Sequence, residues 1–140
     1  MDKVIVVAVK SIIVYKRKVL IARRKAGDKY GAGLWEVIGG KLEFGEEPVD
    51  ALKREIQEET GLKVDIKELL FVSTFLADDS RQIVTLNYVS HSITDRVELS
   101  DEHTEYMWAG QNKMRRLLHK KYMSDLEKNH IFEKLYIIED

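Results

Sequence analysis

Three glutamates, Glu55, Glu58 and Glu59, lie three and one residues apart in an acidic stretch of this 140-residue chain. At roughly 100° per residue of helix they share an arc of about 100°, so three carboxylates project from one flank. Like charges at such spacings weaken an isolated helix by on the order of a few tenths of a kcal/mol per pair. A bound divalent cation would offset that repulsion. Oxygen donors without thiols suit hard cations such as Mg²⁺ or Mn²⁺. The alternative is a solvated acidic face, because surface helices are rich in glutamate.

The helix that must carry these groups has readable ends. Pro48 suits the first helical position, where its missing N–H costs nothing. Gly61 suits the left-handed residue just past the end. Between them Val49, Leu52 and Ile56 define a stripe that faces the core. Upstream, Leu34-Trp35-Glu36-Val37-Ile38 reads as a short strand running into Gly39-Gly40.

The full spacing is Gly40, five residues, Glu46, seven residues, Arg54-Glu55-Ile56, one residue, Glu58-Glu59, one residue, Gly61-Leu62. This resembles the Nudix box at every defining position. Chance occurrence in a chain of this composition is on the order of 10⁻⁷ to 10⁻⁶. The resemblance implies an α/β fold, the Nudix α/β/α sandwich with a central mixed sheet between the box helix and a C-terminal helix. It also implies hydrolysis of a diphosphate linkage in a nucleoside diphosphate joined to another group. Glu55, Glu58, Glu59 and the carbonyl of Gly39 would hold the metal, with Glu55 as the base or the group that positions water. Glu46 and Arg54 would stand behind them, Arg54 pairing with a box carboxylate. Two positions depart from the family pattern. Ile38 replaces the proline before the glycine pair, relaxing the loop entry, and Glu47 replaces a capping Ser or Thr.

The other elements follow from patterning. Val4–Val9 and Ile12–Tyr15 form one long or two short strands, and Val19–Ala22 another beyond the charged turn Lys16-Arg17-Lys18. Arg23, Arg24 and Lys25 place three cations before a loop containing Gly27, Gly31 and Gly33. In the family context Arg23, Arg24 and Lys41 are the expected contacts to substrate phosphates, the guanidinium fork matching phosphate oxygens. Leu69–Leu76 and Gln82–Ile93, separated by Asp78-Asp79-Ser80, read as a hairpin, on which Tyr88 and His91 are outlying candidates for the site. Lys63–Glu68 carries no clear pattern.

Asp95–Thr104 reads as a polar loop longer than most connections. Its end, through Tyr106-Met107-Trp108, resembles the segment that Nudix proteins place before their last core strand. There Glu102, on a loop free to close on phosphates, is the favoured additional ligand or base, and Glu105 the other candidate ligand. Met114, Leu117 and Leu118 open a helix, and Ile131, Phe132, Leu135 and Tyr136 mark a second stripe.

Composition narrows the class. The length fits a single domain over residues 1–140. A net charge of −1 supplies no basic field for a nucleic-acid polymer or an anionic membrane. The absence of cysteine excludes thiolate chemistry and suits a reducing compartment. No run approaches a membrane span or a signal-peptide core, so the cytoplasm is the expected location. The partner expected is a small nucleotide; a homodimer is compatible with the sequence but not specified by it. Within the family, Leu34-Trp35-Glu36 through Lys41 most resembles MutT-type nucleoside triphosphate pyrophosphatases, which release a nucleoside monophosphate and pyrophosphate. A nucleotide-sugar hydrolase is the alternative, and a binding module without turnover a third reading.

Overall fold

The computed structural model describes residues 2–27 and 31–140, so the middle of the glycine loop after Arg24 lies outside the described residues. The elements run β1 (Val4–Tyr15), β2 (Lys18–Arg24), β3 (Trp35–Lys41), α1 (Pro48–Thr60), β4 (Val64–Asp78), β5 (Arg81–Ser92), β6 (His103–Ala109), α2 (Gln111–Leu117), α3 (Lys120–Lys128) and α4 (Ile131–Leu135). The strands form one sheet in the order β4-β5-β1-β3-β2-β6. β1 and β5 pair in parallel and the other pairs are antiparallel, so the sheet is mixed.

Alternate side chains of the central strands serve two cores. Val9, Ile13, Leu20 and Ile38 pack with Ala51, Leu52 and Ile56 of α1. Ile12, Val14, Ile21 and Val37 pack with Met114, Met123, Leu126, Ile131 and Phe132 from the C-terminal helices. The result is the expected α/β/α sandwich. Among the described residues no helix is long and apolar enough to cross a membrane.

Local departures from expectation have physical reasons. β1 is a single strand, because the polar residues that interrupt its apolar run find partners: Ser11 Oγ meets Ser90 Oγ at 2.7 Å and Lys10 reaches Glu36 at 2.9 Å. β4 begins at Val64 and takes in the unpatterned segment, its register shifting between Ile66 and Leu69 and again before Phe71. Irregular pairing hides period-two alternation. β6 starts at His103, shortening the expected Asp95–Thr104 loop from its C-terminal end. Helix α3 has no counterpart among the expected elements; it buries only Met123 and Leu126, too sparse a stripe to announce a helix.

Candidate active site

Helix α1 opens at Pro48 behind an extended Glu47 that makes no side-chain cap. It closes at Gly61, whose φ of 71° is the left-handed conformation that favours glycine. The buried stripe is Ala51, Leu52, Ile56, Glu59 and Thr60. The three box carboxylates are therefore not equivalent. Glu58 keeps 59% of its side chain exposed and Glu55 14%, while Glu59 is a core residue at 4%.

The segment before β6 fixes Glu59's surroundings. Glu98 N donates to Thr60 O at 2.9 Å and Ser100 N to Glu59 O at 3.2 Å, so the loop satisfies carbonyls at the open end of α1. Val97 and Leu99 pack against the α1-side core, and Trp108 Nε1 donates to Asp95 O at 3.1 Å. The loop expected to be free to close is thus docked along its length. Docking seats Ser100, and Glu102 bonded to it through its backbone amide at 3.3 Å, beside the C-terminal turn of α1. Burial pushes the Glu59 carboxyl up to about 10, and Glu102, Glu55 and Glu36 add to the rise. Glu59 Oε2 is buried and has no hydrogen-bond partner.

Arg54 organises the other carboxylates. Its Nε and Nη2 each donate to one oxygen of Glu46 at 2.9 Å, a bidentate pair. Its Nη1 donates to Glu55 at 3.0 Å and, more weakly, to Glu58 at 3.5 Å. Hydrogen bonds from Arg54, with one from the Glu43 backbone, hold Glu46 below the usual carboxylate range. Burial pushes Glu55 upward against the pull of Arg54. The two glycines before the helix leave room for different neighbours, Gly40 for a side chain and Gly39 for backbone. A β-carbon on Gly40 would lie 2.4 Å from the Glu55 carboxyl carbon, and one on Gly39 would lie 2.1 Å from the backbone oxygen of Val9.

A second polar cluster, which no sequence motif marks, centres on Glu36. Glu36 accepts from Lys10 Nζ at 2.9 Å, from Arg24 Nη1 at 3.2 Å and from His103 Nε2 at 2.9 Å. Burial alone would raise its carboxyl, but Lys10, His103 and Arg24 outweigh it and hold it at about 2. The available signal was an acid inside an otherwise apolar strand, Leu34–Ile38, since carboxylates are seldom buried without partners.

The remaining candidates separate. Arg24 is engaged by Glu36. Arg23 bonds Gly33 O at 3.0 Å and pairs at 3.0 Å with Glu105, its register partner on β6, both about half exposed. Glu105 thus meets Arg23, whereas it is Glu102 whose charge reaches Glu55 and Glu59. Lys41 is exposed at the end of β3; Tyr88 packs on the α1-side core and His91 is exposed.

These residues fit a hard divalent cation. The donors are oxygens, and one of them is a buried carboxyl oxygen with no partner, in a group whose burial and acidic neighbours disfavour its charged form. Among the described residues no three acidic or histidine side chains already close on one point. Arg54 draws Glu55 and Glu58 toward itself instead.

The family model described as NUDIX domain matches residues 5–128. The chain is 31% identical over 122 residues to an ADP-ribose pyrophosphatase of Methanocaldococcus jannaschii, covering 85% of this chain and 71% of that protein. It is 40% identical over 70 residues to an 8-oxo-dGTP diphosphatase of Proteus vulgaris, covering 50% and 60%. The crystal structure of a MutT protein from Methanosarcina mazei shares the fold at a TM-score of 0.86 and 24% identity, covering 96% of this chain and 99% of that one. The chain spans between 26% and 62% of the length of the first curated relatives it matches.

Proposed function

The chain belongs to the Nudix family, and on that premise we propose that it hydrolyses a diphosphate linkage in a nucleoside diphosphate derivative with a divalent cation, Mg²⁺ or Mn²⁺. The observation that carries this reading is Glu59: a buried carboxyl with a partnerless oxygen, flanked by Glu55 and Glu102, on a complete Nudix box. A structural glutamate at 4% exposure would be expected to have its oxygens satisfied.

Glu55, Glu58, Glu59 and the Gly39 carbonyl are the residues assigned to the metal, with Glu102 as the additional donor. A cation bound there supplies neutralisation of the polyphosphate, polarisation of a phosphoryl oxygen and acidification of water. Glu55, seated over Gly40 and partly buried, is assigned to hold the attacking water or take its proton. Arg54 and Glu46 keep Glu55 in place, since the guanidinium bridges the two carboxylates. Arg23 and Lys41 are proposed as cations at the edge of the polyphosphate path; for Arg24 the ion pair to Glu36 makes that role indirect.

The substrate proposed is a nucleoside triphosphate, giving a nucleoside monophosphate and pyrophosphate. The likeness to the 8-oxo-dGTP diphosphatase supports it. The likeness to the ADP-ribose pyrophosphatase supports a second reading, a nucleotide-sugar substrate. A panel of canonical and oxidised nucleoside triphosphates, nucleotide sugars, ADP-ribose and dinucleoside polyphosphates, with products identified by mass, decides. Pyrophosphate from a triphosphate supports the first reading; sugar phosphate plus nucleoside monophosphate supports the second. No turnover anywhere favours a binding module.

A further inference from the structure

We propose that Glu36 is a positioning residue for this site: it anchors His103, and through the start of β6 it holds the backbone of Glu102 beside the C-terminal turn of α1, where Ser100 N bonds Glu59 O. Glu36 sits on β3 and reaches β6 across the intervening β2, while Lys10 on β1 and Arg24 on β2 bond the same carboxylate. One side chain thus ties four strands together. The His103 side chain is 1% exposed and its Nδ1 has no partner, so among the described residues Glu36 is its anchor. With Glu36 ionised and accepting, Nε2 carries the donated hydrogen. The backbone bonds around Glu102 are weaker ties: Glu102 N to Ser100 Oγ spans 3.3 Å and His103 N to Ser100 O 3.4 Å. Lys25 N to Glu102 O, at 3.0 Å, is the exception. A buried ionic cluster adds little stability over apolar packing, so fixing geometry is the role it serves better.

The inference rests on the reading of Glu59 and Glu102 as groups that hold the metal. Two readouts keep the two apart: Mn²⁺ binding without substrate, followed by electron paramagnetic resonance, and amide exchange over residues 100–104. Glu36→Gln and His103→Leu should each raise the Mn²⁺ Kd about tenfold, the range for residues that orient metal ligands. Both should speed exchange at 100–104 while leaving KM nearly unchanged. His103→Gln, whose amide can still donate toward Glu36, should stay close to wild type. Adding Glu36→Gln to Glu102→Gln should weaken Mn²⁺ binding no further. If Glu36→Gln fails to fold, His103→Leu against His103→Gln carries the test. Wild-type Mn²⁺ affinity and exchange in Glu36→Gln would overturn the inference. So would a tenfold rise in KM at unchanged Mn²⁺ affinity, which would place Glu36 against the substrate. If Glu102→Gln leaves Mn²⁺ affinity unchanged, the metal reading of Glu102 falls, and faster exchange in the Glu36 variant would confine Glu36 to anchoring the strand.

Discussion

The Glu55 carboxyl lies directly over the α-carbon of Gly40: a β-carbon there would meet its carboxyl carbon at 2.4 Å and both oxygens at 2.6 Å. Gly39, one residue earlier, faces backbone, with Val9 O at 2.1 Å. The same substitution should therefore fail in two ways. Gly40→Ala can be accommodated by swinging Glu55 aside, so it should fold and lose kcat by about 100-fold or more, as expected when a reacting group is displaced by about 1 Å. Gly39→Ala must move a strand, and its loss should appear as a fall in melting temperature. Equal effects of the two on stability would contradict this division.

Glu59 makes the metal-free protein sensitive to alkali. Its folded value of about 10 lies above the roughly 4.3 of an unfolded glutamate, so between those values the folded state binds the extra proton. Stability contributed by the neutral carboxyl is fully present below pH of about 4.3 and is lost as pH rises toward 10. Urea unfolding in EDTA at pH 5, 7 and 9 should show wild type losing more stability across the series than Glu59→Gln. Parallel losses would rule out Glu59 as the source.

Much of this site was legible in the chain because its determinants are local. Pro48, Gly61 and the glutamate spacing specify a helix, its ends and a carboxylate flank within about twenty residues. Periodicity places Glu55, Glu58 and Glu59 on one arc but does not say where burial begins on that arc, so the burial of Glu59 beside an exposed Glu58 was not readable. The Glu36 cluster joins residues 12, 26 and 67 positions apart, and such pairings are made by the sheet order rather than by any short pattern. The docking of the loop before β6 rests partly on backbone amides, which leave no mark in side-chain composition.

The Arg54–Glu46 pair needs a fork. Lysine keeps the charge but cannot donate to both Glu46 oxygens and to Glu55 at once. Arg54→Lys should lower kcat by about 10- to 100-fold, the range for residues that orient metal ligands. A lysine variant with wild-type kcat would mean that charge alone suffices.

Glu102 and Glu105 have different neighbours and should separate in kinetics. Glu102→Gln removes a charge beside Glu59 and should lower kcat more than it raises KM. Glu105→Gln breaks an exposed pair with Arg23, worth about 0–1 kcal/mol, and should change kcat by less than about threefold. Steady-state kinetics of both variants at saturating Mg²⁺ checks this; the reverse ordering would move the additional donor to Glu105.

On the proposed function, the acidic flank of α1 holds a divalent cation for phosphoanhydride hydrolysis. The most direct test is turnover of the best panel substrate across a Mg²⁺ titration, for wild type and Glu58→Gln, with an excess-EDTA control. Glu58 is the most exposed of the three carboxylates, so its substitution should leave folding intact and separate chemistry from packing. Turnover should vanish in EDTA, and Glu58→Gln should show a kcat lowered by orders of magnitude at limiting Mg²⁺. Undiminished turnover in EDTA, or a near-normal kcat for Glu58→Gln at limiting Mg²⁺, would contradict this function and leave the flank a solvated helix surface.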